Sequence, residues 1–112
     1  MNKNEARPHI SVMRDEFLKY FEGCKLNVFF EGTLGAGGHA YAILEAHPEI
    51  KKYLACDRDP QAIELASSFL EPWKKKIDFI NGNFADLDAF LDERGIKVVD
   101  GFFLISEFRL CN

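Results

Sequence analysis

Strand-length apolar runs alternate with helix-period segments along this 112-residue chain, and that alternation predicts an α/β fold. It predicts the first half of a doubly wound, Rossmann-like parallel sheet with flanking helices, because strands separated by helices need crossover connections. Two further observations agree. The segment Phe29-Phe30-Glu31-Gly32-Thr33-Leu34-Gly35-Ala36-Gly37-Gly38-His39 joins an apolar run to a Gly-rich turn and then to a helical pattern, which is the architecture of a nucleotide cradle. An acid, Asp57, stands just past the second apolar run. With 47% hydrophobic residues the chain can build one core, yet it is short for a complete doubly wound domain. Residues 1–112 are therefore read as a single partial domain with no internal boundary.

The elements follow in order. Ser11 is placed to cap a first helix with Met13, Phe17, Tyr20 and Phe21 on one face and Gly23 as its stop. Leu26 to Phe30 is apolar and partly aromatic, and reads as the first strand. Ala40, Ile43, Leu44 and His47 mark a second helix ended by Pro48. Tyr53-Leu54-Ala55-Cys56 reads as a short buried strand that stops at Asp57-Arg58-Asp59-Pro60, where Asp59 as N-cap and Pro60 at the first helical position start a third helix. Ile63, Ala66, Phe69 and Leu70 give that helix a buried face, and Pro72 closes it. Ile77 to Ile80 is a third strand, followed by Gly82-Asn83-Phe84 and a helix carrying Leu87, Phe90 and Leu91 up to Gly95. Val98 to Ile105 contains the fourth strand.

A net charge of -4 and a pI near 5.3 argue against a nucleic-acid binder working through a broad basic surface. Lys74-Lys75-Lys76 is the only basic run, and it reads as a solvated helix end. Cys24, Cys56 and Cys111 are scattered and odd in number, so neither a disulfide framework nor a metal site is expected. The stretch from Met1 to Pro8 leads into no apolar signal core, and no apolar run reaches the roughly 18 residues of a membrane span. A soluble, cytoplasmic chain without membrane partners is expected.

Ligands of open α/β sheets bind beyond the carboxyl ends of the strands, where strand order reverses. Asp57 lies about 20 positions past Gly37, where an acid accepts hydrogen bonds from ribose hydroxyls; its alternative role is to compete with Asp59 for the helix cap. Phe84 is placed to pack on an adenine ring or else to be simple core. His39 is either a contact to a ligand carboxylate or an early helix residue. Gly35, Gly37 and Ala40 fit the G-x-G-x-x-G/A pattern, which keeps an NAD-binding module open. Glu31 discriminates. A carboxylate at the strand end sits badly beside a pyrophosphate, but well beside the ammonium of S-adenosylmethionine, so the methyl-donor reading is favoured.

Pro8-His9-Ile10-Ser11-Val12-Met13, the run from Glu31 to His39, Asp57-Arg58-Asp59-Pro60-Gln61-Ala62, Gly82-Asn83-Phe84 and Val99-Asp100-Gly101-Phe102-Phe103-Leu104, taken in order, closely resemble the bacterial ribosomal RNA small subunit methyltransferase H family. The resemblance implies an S-adenosylmethionine-dependent methyltransferase fold and transfer of a methyl group to the exocyclic N4 of a cytidine in 16S ribosomal RNA of the small subunit. It implies that Gly37, Gly38 and His39 contact the donor, with Asp57 at its ribose and Phe84 near its adenine. Together with Gly35 of the glycine turn, these form the expected cofactor-binding set, while the catalytic residues are unassigned. Family members mostly carry Asp where this chain has Glu31.

The resemblance covers about residues 9 to 104 and corresponds to the front of the family's protein. After the fourth strand the family has Asp-Leu-Gly-Val-Ser-Ser, whereas this chain has Ile105-Ser106-Glu107-Phe108-Arg109-Leu110, as a frameshifted, truncated or edited reading frame would produce. A donor-binding half that is inactive alone, or a non-catalytic nucleotide-binding relic, is expected. So is a fourth strand with one bare edge, open to self-association. A β-branched residue at Gly37 is expected to harm donor binding more than folding.

Overall fold

The computed structural model describes residues 15–104 and the backbone of 107–109. The expected Ser11 cap, Met13 and the substituted position Ile105 lie outside the described residues. Helix α1 is described over residues 15–20 and runs into a turn in which Gly23 takes φ +83°. Strand β1 (Val28–Glu31) leads to α2 (Gly38–Ala46), β2 (Lys52–Asp57) to α3 (Pro60–Phe69), and β3 (Ile77–Asn81) to α4 (Leu87–Glu93). Two 3₁₀ segments, Glu71–Lys76 and Phe84–Asp86, flank β3. β4 (Gly101–Leu104) and β5 (Glu107–Arg109) complete the sheet.

The sheet order is β3-β2-β1-β4-β5, with the first four strands parallel and β5 antiparallel to β4. Strand order therefore reverses between β1 and β4, as expected for the first half of a doubly wound fold. The period of two along each strand divides the core into two layers. Phe29, Tyr53, Ala55, Ile77 and Phe103 pack with Phe17, Phe21, Ile43, Leu44, Ala66 and Leu70 on one face. Phe30, Leu54, Cys56 and Ile80 pack with Leu87, Phe90 and Leu91 on the other.

Four expectations need correction. Phe69, placed on the buried face of α3, is 49% exposed and instead stacks on Tyr41 with ring centroids 4.9 Å apart. Pro72 does not close α3: the helix ends at Phe69 and a 3₁₀ segment follows in which Pro72 occupies an early position, where its missing N–H costs nothing. The bare edge of β4 is covered. Phe102, Phe103 and Leu104 pair with Arg109, Phe108 and Glu107, and because ladder pairing is a backbone property, a tail that departs from the family's motif can supply it. Finally, Cys24 is disulfide-bonded while Cys56 is free and buried. Sequence spacing carries no information on the Cα proximity that a bridge requires.

Lys74 pairs with Glu71 at 3.3 Å on the exposed last turn of the 3₁₀ segment, in keeping with a solvated helix end. Among the described residues no helix is long and apolar enough to cross a membrane.

Gly37, the N-cap of α2, takes φ +95°. A Cβ there would lie 3.3 Å from Ala66 Cβ and Phe69 Cδ2 and 3.4 Å from Leu70 Cδ1, so this glycine sits tightly against α3. Gly37 thus has a role in the fold, beside the ligand role expected of it. Gly37→Val should destabilise the chain by roughly 2 to 5 kcal/mol, combining left-handed strain with overpacking. Chemical denaturation measures this, and a loss below about 1 kcal/mol would contradict it.

Candidate functional site

All six predicted site residues lie at the carboxyl edge of the sheet, Asp57 at the end of β2 and the others on the segments that leave β1 and β3. The loop after Glu31 starts flush with its neighbours: the Gly32 N–H donates to the Phe103 carbonyl at 2.8 Å. A Cβ on Gly32 would come within 2.5 Å of Leu104 Cδ2 and 2.9 Å of Phe84 Cβ, so no larger residue fits. The Leu34 N–H donates to the Cys56 carbonyl at 2.9 Å, and the Gly35 N–H, at φ +57°, donates to Asp57 Oδ2 at 2.7 Å. The glycine loop is thus folded down onto the end of β2.

Asp57, the last residue of β2, is buried. Its second oxygen, Oδ1, accepts from the Asp59 N–H at 2.9 Å, while Asp59 itself caps α3 by accepting from the Gln61 N–H at 2.9 Å. The cap thus belongs to Asp59. Asp57 instead ties the loop to the start of α3, and each of its oxygens retains a further acceptor position. The Asp57 carbonyl accepts from the Gly82 N–H at 3.0 Å and from Asn81 Nδ2 at 3.1 Å, drawing in the end of β3. Phe84 opens the following 3₁₀ turn, whose cap is Asn83 Oδ1 accepting from the Ala85 N–H, and it packs on the Phe30, Leu54, Cys56 and Ile80 layer. Gly35 and Asp57 therefore meet directly, and Phe84 meets the loop at Gly32. Gly38 begins α2 with open space around it. His39 stacks on Phe103 with centroids 4.5 Å apart and meets the edge of Phe17 at 5.4 Å.

Glu31 departs from its expected form. It is fully buried, its Oε1 accepts from the Tyr53 hydroxyl at 2.7 Å, and its Oε2 has no partner among the described residues. Burial pushes its pKa up to about 8, the Tyr53 hydrogen bond opposes that rise, and the nearby Asp57 charge adds to it. At neutral pH the free chain carries Glu31 mainly as the neutral acid, so the fixed carboxylate of the sequence reading is corrected. Tyr53 is itself raised well above its ordinary value by burial and by Glu31. Sequence reasoning missed Tyr53, although it lies on the same sheet face as Glu31, one diagonal away in the β1–β2 register. Cys56 is held as a thiol, with a pKa raised to about 11 by burial and then by Asp57, and its Sγ donates to the Gly82 carbonyl at 3.2 Å. Surface concavities of about 400 to 460 Å³, lined by Leu18, Lys19 and His47 or by residues along 67–79, include none of the predicted site residues.

This edge invites comparison with known proteins. The sequence model of the MraW methylase family matches residues 6–110, which extends past the point where the motif resemblance stops. The chain is 53% identical over 83 residues to the ribosomal RNA small subunit methyltransferase H of Protochlamydia amoebophila, covering 74% of this chain and 26% of that protein. It is 42% identical over 96 residues to that of Geotalea uraniireducens, covering 86% and 31%. The chain thus spans about a third or less of these curated relatives. Among solved structures it resembles a SAM-dependent O-methyltransferase from Thermotoga maritima, with TM-score 0.60 and 16% identity over 81% of this chain and 33% of that one. It also resembles the methyltransferase domain of a bacterial Hen1, with TM-score 0.62 and 12% identity over 81% and 47%. At such identities these two show a shared Rossmann-like fold. By sequence, the chain belongs to the MraW methylase family.

Proposed function

We propose that this chain binds S-adenosylmethionine at the carboxyl edge of its sheet and is the donor-binding half of an enzyme that methylates N4 of a cytidine in 16S ribosomal RNA. The observation that carries the reading is the glycine loop held on Asp57 where strand order reverses. The residues present fit the donor. Glu31 Oε2 is a buried acceptor suited to an ammonium, Asp57 has acceptor capacity left for ribose hydroxyls, and α2 begins at Gly38 with open space around it, where a carboxylate can approach the amino end of the helix. Phe84 borders the loop on the side where an adenine would pack. When bound, the donor supplies a sulfonium methyl that is displaced in line by the attacking amine.

Gly35, Gly37 and the Asp57 clasp hold the loop in one conformation before the ligand arrives, which reduces the ordering cost of binding. Methyl transfer also requires acceptors that localise the lone pair of the cytosine amine and a surface that holds the RNA. The described residues supply neither, so the chain alone is read as inactive. Its place is the cytoplasm, with the small ribosomal subunit as partner and no membrane. Self-association by strand pairing would use an outer edge of the sheet, β3 or β5, since β4 is paired on both sides.

A second reading, a relic that keeps the fold without the ligand, is favoured by one observation: Asp57 already holds two backbone N–H groups. Family membership weighs against a dinucleotide module. Asp57→Asn should weaken S-adenosylhomocysteine binding by about 1 to 3 kcal/mol in calorimetric titration and lower thermal stability as well. Lost stability with unchanged affinity would favour the relic. In parallel, tritiated S-adenosylmethionine incubated with unmethylated small subunits and this chain should give no transfer above background. Stoichiometric label at a single cytidine would refute the reading of an inactive half.

A further inference from the structure

We propose that Tyr53 is a positioning residue for the donor's amino group, its hydroxyl holding Oε1 of Glu31 so that Oε2 is presented to the ammonium of the methionine half. This rests on the donor reading above. The β1–β2 register places Phe29 opposite Tyr53 and Glu31 opposite Ala55, so Tyr53 reaches Glu31 along a diagonal of the same face. The ring cannot wander, because Tyr53 is fully buried and stacks on Phe29 with centroids 5.4 Å apart and planes at 17°. One Glu31 oxygen is therefore fixed, and the other is buried without a partner among the described residues.

A half-satisfied buried network is costly and calls for an explanation, and a ligand that completes it is one. The completing group must donate hydrogen bonds, and the field selects its charge. From β2 the groups facing Glu31 are Tyr53 and the Asp57 carboxylate. From β4 the residue opposite is the apolar Phe103, and from α2 the titratable group is His39, stacked on that ring. Two acids at one edge favour a cation. With its pKa near 8, Glu31 is largely protonated at pH 7, so an arriving ammonium displaces its proton and binding becomes proton-linked.

The test is calorimetric titration at pH 7, in two buffers of different ionisation enthalpy, with S-adenosylhomocysteine and with 5′-methylthioadenosine, which lacks the amino-acid half. The wild-type chain should release most of one proton with the first ligand and none with the second. Tyr53→Phe should weaken S-adenosylhomocysteine about tenfold, the scale of a hydrogen bond to a charged group, and leave methylthioadenosine unchanged. Equal losses for both ligands would show that Tyr53 acts only through the fold, and an unchanged S-adenosylhomocysteine affinity would overturn the proposal alone. If the wild-type chain binds methylthioadenosine but releases no proton with S-adenosylhomocysteine, the proposal also fails while the donor site stands. Absence of any S-adenosylhomocysteine binding would remove the donor reading and this one with it. Glu31→Gln is the second variant: it should bind without proton release, and release that persists in it overturns the assignment.

Discussion

The Asp57 carboxylate is the constraint on which the carboxyl edge of this sheet depends. One oxygen takes the Gly35 N–H of the loop leaving β1, and the other takes the Asp59 N–H at the start of α3. Its main-chain carbonyl takes Gly82 and Asn81 from the end of β3. Three consecutive strand ends are therefore gathered on one residue. A neutral side chain would hold the loop after β1 and the start of α3 less firmly, because hydrogen bonds to an ionised acceptor are about twice as strong as neutral ones. The amino end of α3, with its positive partial charge, further favours an anion at that point.

Packing does the rest through two glycines. Gly32 is wedged between Leu104 and Phe84, and Gly37 sits against Ala66 and Phe69 of α3 and Leu70 at its end. The glycine pattern that suggests a ligand thus has a large packing component, and the same spacing would persist in a chain that bound nothing. Gly38 differs. It has open space around it at the first turn of α2, as Gly35 has in the loop, so on the donor reading proposed above these two glycines and the still-available acceptor positions of Asp57 are where a ligand can approach.

What was legible in the sequence follows the range of the interactions involved. Asp59-Pro60 named its own helix start because capping is local, and the parallel order followed from alternation, since crossovers are constrained by handedness and length. The end-of-strand position of Asp57 was legible, but its grip on Gly35 was not, because that bond spans 22 positions. The pairing of β5 was hidden for a related reason. Backbone ladders accept almost any extended segment, so a tail that departs from the family motif can still cover the edge expected to be bare. Phe69 shows the converse error: helical spacing places a residue on a face, but how far the neighbouring layer extends decides whether that face is covered.

Glu31 changes the logic of ligand discrimination. Read as a fixed anion, it would reject a pyrophosphate by simple repulsion. Buried and raised to about 8, it is mostly neutral at pH 7 in the free chain, so static repulsion is weak. Discrimination moves to the bound state. A cation near Oε2 stabilises the ionised form and is stabilised by it in return, whereas a phosphate would drive the pKa higher still and meet only an uncharged acid beside the Asp57 carboxylate. The site can therefore gain from a cationic ligand what it cannot gain from an anionic one, even though the free chain presents little negative charge at that position. On the donor reading proposed above, selectivity would arise from the acid's capacity to ionise on demand, with Tyr53 the group that makes ionisation less costly in an otherwise dry environment.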